Sequence, residues 1–308
     1  MDDTRYEGRP LPRPDEELTD QGLGFDIGTI VRRRQVLRAF GLGAAVAGLT
    51  AACSDDLDPA AGPSASASTA TDAAAAGEIP DETAGPYPGD GSNGPDVLNQ
   101  SGIVRRDIRS SFGTATGTAQ GVPMTLELSI VDMANGGTPF AGVAVYVWHC
   151  DREGRYSLYT QGAQDQNYLR GVQVADAQGR VSFTSIFPAC YSGRWPHIHF
   201  EVYPDQASIT ESSKAIATSQ VALPKATCDT VYAQSGYSAS VQNLSRVTLQ
   251  SDNVFGDDAG ALQLGAVTGN VTNGLAVSLV ARVDTRTTPT GGGMGPGGPG
   301  AGGAPPSR

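Results

Sequence analysis

Phe187-Pro-Ala-Cys-Tyr-Ser-Gly-Arg-Trp-Pro-His-Ile-His-Phe-Glu-Val-Tyr203 contains two of the three histidines in a chain of 308 residues. His197 and His199 are separated by one residue. In a strand, alternate side chains share a face. The spacing therefore predicts a strand with His197, His199 and Glu201 on one side. Ile198, Phe200 and Val202 lie on the other side, which is apolar and faces a core. Pro196 suits the start of such a strand. Taken alone, the pair leaves two readings open: histidines on a strand surface, or two imidazoles set to chelate a metal. Two nitrogens do not complete a metal site, so further ligands must come from elsewhere in the chain.

The formal net charge of −11 argues against nucleic acid as a partner. The 40 glycines and 20 prolines are concentrated toward the termini, leaving a middle of ordinary globular composition. Four cysteines are too few for a disulfide scaffold.

Residues 1–31 are polar and turn-rich. Arg32-Arg-Arg-Gln-Val-Leu-Arg38 then precedes an apolar run from Ala39 to Ala52, too short for a stable membrane span. The arginine pattern resembles a twin-arginine export signal. Leu49-Thr-Ala-Ala-Cys53 resembles a lipoprotein cleavage box, with Cys53 as the lipidated residue and Thr50 where an aliphatic residue is usual. The expectation is an exported cell-surface or periplasmic lipoprotein, anchored to the membrane through lipid on Cys53; the alternative is a cleaved, secreted protein. Residues 1–53 are thus assigned to the signal. Residues 54–78, rich in Ser, Ala, Thr, Asp, Gly and Pro, form a flexible linker. Residues 79–285 form one folded domain, and residues 286–308 a disordered Gly/Pro-rich tail.

Within the domain, Met124–Ile130 alternates strictly and predicts a half-buried strand. Asn135-Gly-Gly-Thr-Pro139 predicts a turn, Val143–Trp148 a second strand and Arg180–Phe187 a third. The His197 strand follows. Leu244–Leu249, Leu262–Val267 and Leu275–Val283 are further strand candidates, and Thr227–Gln234 a short helix. Many short strands with intervening turns predict an all-β antiparallel sandwich.

Four separated stretches carry a family resemblance. Gly142-Val-Ala-Val-Tyr-Val-Trp-His-Cys-Asp151 leads to Gly154-Arg-Tyr156-Ser157. Tyr168-Leu-Arg-Gly-Val-Gln173 and Asp176-x-x-Gly-Arg-Val-x-Phe183 follow, then Pro188-x-x-Tyr191-x-x-Arg194-x-x-His197-x-His199. Together they resemble the intradiol ring-cleavage dioxygenases, the protocatechuate and catechol dioxygenases among them. The resemblance implies a non-haem Fe(III) held by Tyr156, Tyr191, His197 and His199. Hard ferric iron favours anionic oxygen, and two phenolates offset much of its charge; zinc or copper more usually recruit a third histidine or a cysteine. The implied reaction is cleavage of a catechol by O2 between its two hydroxylated carbons, giving a cis,cis-muconate-type product. Tyr191 would be displaced by the catechol and act as a base. Arg194 would stabilise charge developing on the substrate, the alternative being a surface salt bridge. Thr83-Ala-Gly-Pro-Tyr87 resembles a substrate-side segment of the protocatechuate enzymes, which makes Thr83, Gly85 and Pro86 candidate substrate-binding residues. In those enzymes that segment and the ligands lie on different subunits, whereas one chain carries both here. Gln220 is a further candidate, on a loose match over Thr218–Pro224.

His149 follows Trp148 and is read as a structural hydrogen-bonding residue. Export permits one disulfide among Cys150, Cys190 and Cys228, either Cys150–Cys190 or Cys190–Cys228. The two-residue spacer between Tyr191 and Arg194 is short for the family and predicts a more open mouth. The export signal suggests extracellular aromatics as substrates, with homo-oligomerisation open. Two other readings compete with catalysis on iron. One is an exported β-sandwich binding protein that keeps fold and metal site without turnover. The other is a zinc hydrolase built on His197 and His199.

Overall fold

The computed structural model describes residues 5–6, 9–10 and 77–290. The expected twin-arginine segment, Cys53, the linker up to residue 76 and the tail beyond residue 290 lie outside the described residues. The chain divides into two units, Met1–Asp72 and Ala73–Arg308. In the first, Arg5–Tyr6 pairs antiparallel with Arg9–Pro10.

The second unit is a two-sheet sandwich. Its strands are β1 (Pro123–Asp132), β2 (Thr138–Pro139), β3 (Ala144–Trp148), β4 (Arg170–Val174), β5 (Arg180–Ile186), β6 (His197–Tyr203), β7 (Ala217–Ala222), β8 (Ala266–Asn270) and β9 (Gly274–Val283). Two short helices, α1 (Lys225–Tyr232) and α2 (Ser238–Leu244), follow β7. One sheet has the order β8-β9-β1-β2, with β5 also pairing β1; the other runs β4-β3-β6-β7. Every pairing is antiparallel except β9 with β1, which is parallel over Leu275–Val283 and Met124–Asp132. The expected all-β sandwich is present, with this one parallel pair inside it.

The alternation in β1 works as its sequence predicts. Met124, Leu126, Leu128 and Ile130 are buried, and the residues between them are not. They meet Val143, Val145, Val147, Ile198, Phe200 and Val202 from the second sheet in one core cluster. Each such side chain, fully buried, contributes about 1.5–3 kcal/mol, so this layer is the main source of cohesion.

The second sheet is buried on both faces: all residues of β3, β6 and β7 are buried. A second apolar cluster covers its far side. It joins Ala144, Tyr146, Trp148 and Tyr203 of the sheet to Ala84, Val97, Leu98 and Ile103 of the preceding chain. Ile198, Phe200 and Val202 thus face the inter-sheet core, and His197, His199 and Glu201 face this other layer.

Three sequence expectations shift. Leu244–Leu249 is not a strand; Leu244 ends α2 and turns follow. Its apolar residues are spaced to cap a helix onto the core, which alternation alone does not distinguish. The Leu262–Val267 strand begins only at Ala266, although Leu264 bridges Ala222. β4 and β7 had no sequence assignment; Ala-Thr-Ser-Gln-Val-Ala is only weakly apolar, and its burial comes from what packs on it. The helix expected at Thr227–Gln234 is α1. Cys150, Cys190 and Cys228 are all buried free thiols, so neither expected disulfide is formed. Their sulfurs point to different backbone carbonyls: Ala189 for Cys150, Arg194 for Cys190 and Leu223 for Cys228.

Candidate metal centre

The site is built on the far face of the second sheet. Trp148 of β3, His199 of β6 and Gln220 of β7 are cross-strand neighbours in register, so their side chains stand in a row. His197 stands next along β6.

Two loops bring tyrosines to this row. After β3 the chain turns through Asp151-Arg-Glu-Gly-Arg155. The Asp151 carboxylate accepts from the backbone N–H of Glu153 and Arg155, at 3.0 and 2.9 Å. It also accepts from Arg155 Nε at 2.9 Å and the Tyr168 hydroxyl at 3.0 Å. The turn closes at Gly154, φ +85°, and delivers Tyr156. A Cβ at Gly154 would lie 3.2 Å from Tyr191 Cβ, so the two tyrosine loops touch there and a larger residue would part them. The Tyr191 loop is held from below by α2. Ser240 Oγ accepts from Cys190 N at 3.0 Å, and Asn243 Nδ2 donates to Cys190 O at 2.8 Å.

Four donor atoms converge. His197 Nε2 and His199 Nε2 are 3.0 Å apart. Tyr156 Oη is 3.4 Å from the first and 3.3 Å from the second. Tyr191 Oη is 3.2 Å from His197 Nε2. Atoms that bind one ion at about 2.0–2.2 Å stand about 2.8–3.5 Å from each other. The set therefore fits a single metal ion with mixed oxygen and nitrogen ligation. His197 Nδ1 is 2.5 Å from the Trp195 carbonyl, which fixes that nitrogen as the donor and leaves the Nε2 lone pair facing the other three groups.

Burial pushes the His197 imidazole down to about 3, and His199 well below its ordinary range, so both rings are neutral. Burial likewise raises both phenols, Tyr191 to about 12 and Tyr156 well above its usual value, while Arg194 pulls each back down. A bound cation would reverse that balance and favour phenolates. Among the described residues no three His, Cys, Asp or Glu side chains converge, so a zinc hydrolase on the histidine pair lacks a third ligand of its usual kind.

Arg194 is not a surface ion pair. Its side chain is 13% exposed, and its Nε donates to Asp252 Oδ2 at 2.9 Å, on a carboxylate with no exposure. Arg194 Nη2 donates to Gln220 Oε1 at 2.7 Å, and Gln220 Nε2 to the Thr83 carbonyl at 3.0 Å. Thr83, Gln220 and Arg194 are thus one hydrogen-bonded chain. Gly85, φ +73°, lies flat over His199; a Cβ there would sit 3.4 Å from His199 Cε1. Pro86 is exposed, and its carbonyl accepts from Asn93 Nδ2 at 2.8 Å.

Sequence reasoning missed four neighbours. Trp148 stacks on His199, and Tyr87 packs on Tyr156 with centroids 5.0 Å apart. Arg170 is buried and donates to the carbonyls of Tyr87, Pro88 and Ser157, tying the Thr83–Pro88 segment to the Tyr156 loop. Asp252 has no local sequence signal; Arg170 stood within a quoted stretch. His149 is structural as expected, bonded to Cys150 O and Ser185 Oγ at 2.8 Å each.

A family model described as Dioxygenase matches residues 93–201, a segment that carries all four donor residues and Arg194. Chlorocatechol 1,2-dioxygenase of Rhodococcus opacus is 40% identical over 55 residues, 18% of this chain and 21% of that protein. The chlorocatechol 1,2-dioxygenase of Pseudomonas sp. (strain P51) is 34% identical over 90 residues, 22% of this chain and 34% of that protein. The matches thus span from about a fifth to a third of these curated relatives. An intradiol ring-cleavage dioxygenase from Tetranychus urticae aligns over 70% of this chain and 100% of its own, at 22% identity and a TM-score of 0.56. The sandwich described above is that fold.

Proposed function

We propose that this chain is an intradiol ring-cleavage dioxygenase, with a non-haem ferric ion held by Tyr156, Tyr191, His197 and His199. The observation that carries the reading is the convergence of two phenols and two imidazoles beside the buried Arg194. The proposed substrate is a catechol, the co-substrate O2 and the product a cis,cis-muconate-type diacid. When bound, the ion would supply a Lewis-acidic, electron-accepting centre for the two catechol oxygens.

The chain's own residues divide the remaining work. Tyr191 sits half-buried on the short loop before Arg194, whereas Tyr156 is 2% exposed and packed under Tyr87. Tyr191 is therefore the phenol free to move aside, and its Oη is the base that takes a catechol proton. His197 and His199 stay fixed, the first by the Trp195 carbonyl and the second by the Trp148 stack. The Arg194 guanidinium stabilises negative charge on the ring as it forms. Gly85 lets the backbone close over His199, where a Cβ would sit 3.4 Å from His199 Cε1.

Export by the twin-arginine route, lipidation of Cys53 and a supply of extracellular catechols remain part of this proposal on the sequence pattern of residues 32–53. Homo-oligomerisation is also left to test.

The deciding experiment is the visible absorption spectrum of the iron-replete protein, before and after catechol is added without O2. A phenolate-to-iron band that shifts with catechol is expected. A colourless protein that retains no iron overturns the proposal in favour of a binding protein, and a shifting band without O2 uptake leaves binding without turnover.

A further inference from the structure

We propose that Asp252 is a positioning residue for this reaction: it clamps Arg194 through Nε and Nη2, so that the guanidinium keeps a fixed place beside the four metal donors with its Nη1 edge unused. The inference rests on the function proposed above and concerns a residue outside the matched segment 93–201.

Asp252 is buried, 3% exposed, in the turns between α2 and β8. Its Oδ2 accepts from Arg194 Nε at 2.9 Å and from Trp195 N at 2.7 Å. Its Oδ1 accepts from Val254 N at 2.9 Å and Phe255 N at 3.1 Å, with a longer 3.4 Å approach from Arg194 Nη2. A carboxylate with this many donors is ionised, and the arginine beside it holds it in that form. Gln220 Oε1 takes the remaining direction of Nη2 at 2.7 Å. Arg194 makes no hydrogen bond through Nη1 among the described residues. The two acceptors therefore fix the plane of the guanidinium and leave one edge of it available.

One further observation links the clamp to the chemistry. Asp252 also grips the N–H of Trp195, whose carbonyl orients His197 at Nδ1. A single carboxylate thus anchors both the cation and the peptide that aims a ligand. Without Asp252 the arginine keeps its charge but loses its heading, and a guanidinium acts on developing charge only where it points.

The competing explanation is a loop cap that matters only for folding, through Val254 and Phe255. A double-mutant cycle separates the two. Wild type, Asp252→Asn, Arg194→Gln and the double variant are loaded with iron. Each is read by anaerobic catechol titration of the visible band and by kcat. Asparagine keeps an oxygen for Val254 and Phe255 but faces Arg194 Nε with an amide. The expected result is a loss of about tenfold in kcat for Asp252→Asn in the wild-type background, and a clearly smaller loss in the Arg194→Gln background, where only the Trp195 contact is left to disturb. Catechol affinity should show the same non-additivity.

Equal losses in both backgrounds, or none, overturn the clamp and leave Asp252 a cap. If Asp252→Asn does not fold, Arg194→Lys makes the test from the other side. Lysine keeps the charge but cannot span Asp252 and Gln220. A loss matching Arg194→Gln supports the clamp, and wild-type behaviour overturns it. A wild-type protein whose band does not move with catechol overturns the function reading, and is seen before any variant is compared.

Discussion

Trp148 lies flat against His199, with ring centroids 4.8 Å apart and planes 7° from parallel. The two residues are opposite each other on β3 and β6, so the stack is a product of strand register. It sets the rotation of the imidazole where no hydrogen bond does, since His199 Nδ1 is buried without a partner among the described residues. Tyr146 also stacks on the indole, with centroids 4.9 Å apart, extending the aromatic row along the strand.

Trp148→Ala should therefore destabilise the metal-free protein by about 3–5 kcal/mol in urea unfolding, as expected for removing a buried tryptophan. Trp148→Phe keeps a ring over His199 and should cost less. Iron content after desalting is expected to fall in the order wild type, Trp148→Phe, Trp148→Ala. Iron retention equal in all three would show that the stack does not orient the ligand.

Gly85 makes a different kind of contact with the same histidine. Its φ of +73° is one that other L-residues adopt at a cost of about 1–2 kcal/mol. Gly85→Ala should lower stability by that amount with little effect on catechol binding. Gly85→Val adds methyl groups beside His199 Cε1, and should weaken anaerobic catechol binding by about tenfold while iron stays bound. Unchanged affinity in Gly85→Val would place the substrate on another side of the histidine.

His149 predicts an acid-side loss of stability. Burial, with a smaller contribution from Arg170, pushes its imidazole from 6.5 down to about 4. The unfolded chain then binds a proton that the folded protein refuses between these two values. Stability is full above pH 6.5 and is lost as pH falls toward 4, by roughly 3 kcal/mol at about 1.4 kcal/mol per unit. Urea midpoints measured from pH 7 to pH 4 should show this slope, reduced in His149→Gln. An unchanged slope in the variant would assign the acid sensitivity to other groups.

The three buried thiols predict a chemical result. Cys190 is pushed up to about 12 by burial, and burial raises Cys150 and Cys228 as well. Thiol, not thiolate, is present at neutral pH, and alkylation requires thiolate. Iodoacetamide should leave all three unmodified in the native protein and modify all three in urea without reductant. Recovery of a Cys150–Cys190 or Cys190–Cys228 peptide from non-reduced protein would contradict the free-thiol arrangement.

What the chain order made legible was local. The His197–Tyr203 alternation predicts a strand with imidazoles on one face and apolar residues on the other, because a period of two is written into consecutive residues. The two tyrosines and two histidines that converge could be named in order through the family resemblance, because each belongs to a short stretch of distinctive residues. Arg194 could be named but not its setting; a surface pair and a buried clamp have the same local sequence.

The rest depended on residues far apart in the chain. Asp252 reaches Arg194 across 58 positions, and nothing in Ser251-Asp-Asn-Val254 marks it. Gln220 became a strong neighbour only through the register that sets it opposite His199. Leu244–Leu249 and Ala217–Ala222 are not legible locally, because their apolar content alone does not separate a helix end from an edge of sheet. The disulfide expectation failed for a similar reason: cysteine spacing says nothing of where each sulfur points. By itself the sequence determined which side chains could bind a metal and which face of each strong strand would be apolar, since both follow from residue type and period. Only the tertiary structure decided that these donors share one centre, and that the second sheet is covered on both sides, because convergence and cover are made by long-range packing that no single stretch encodes.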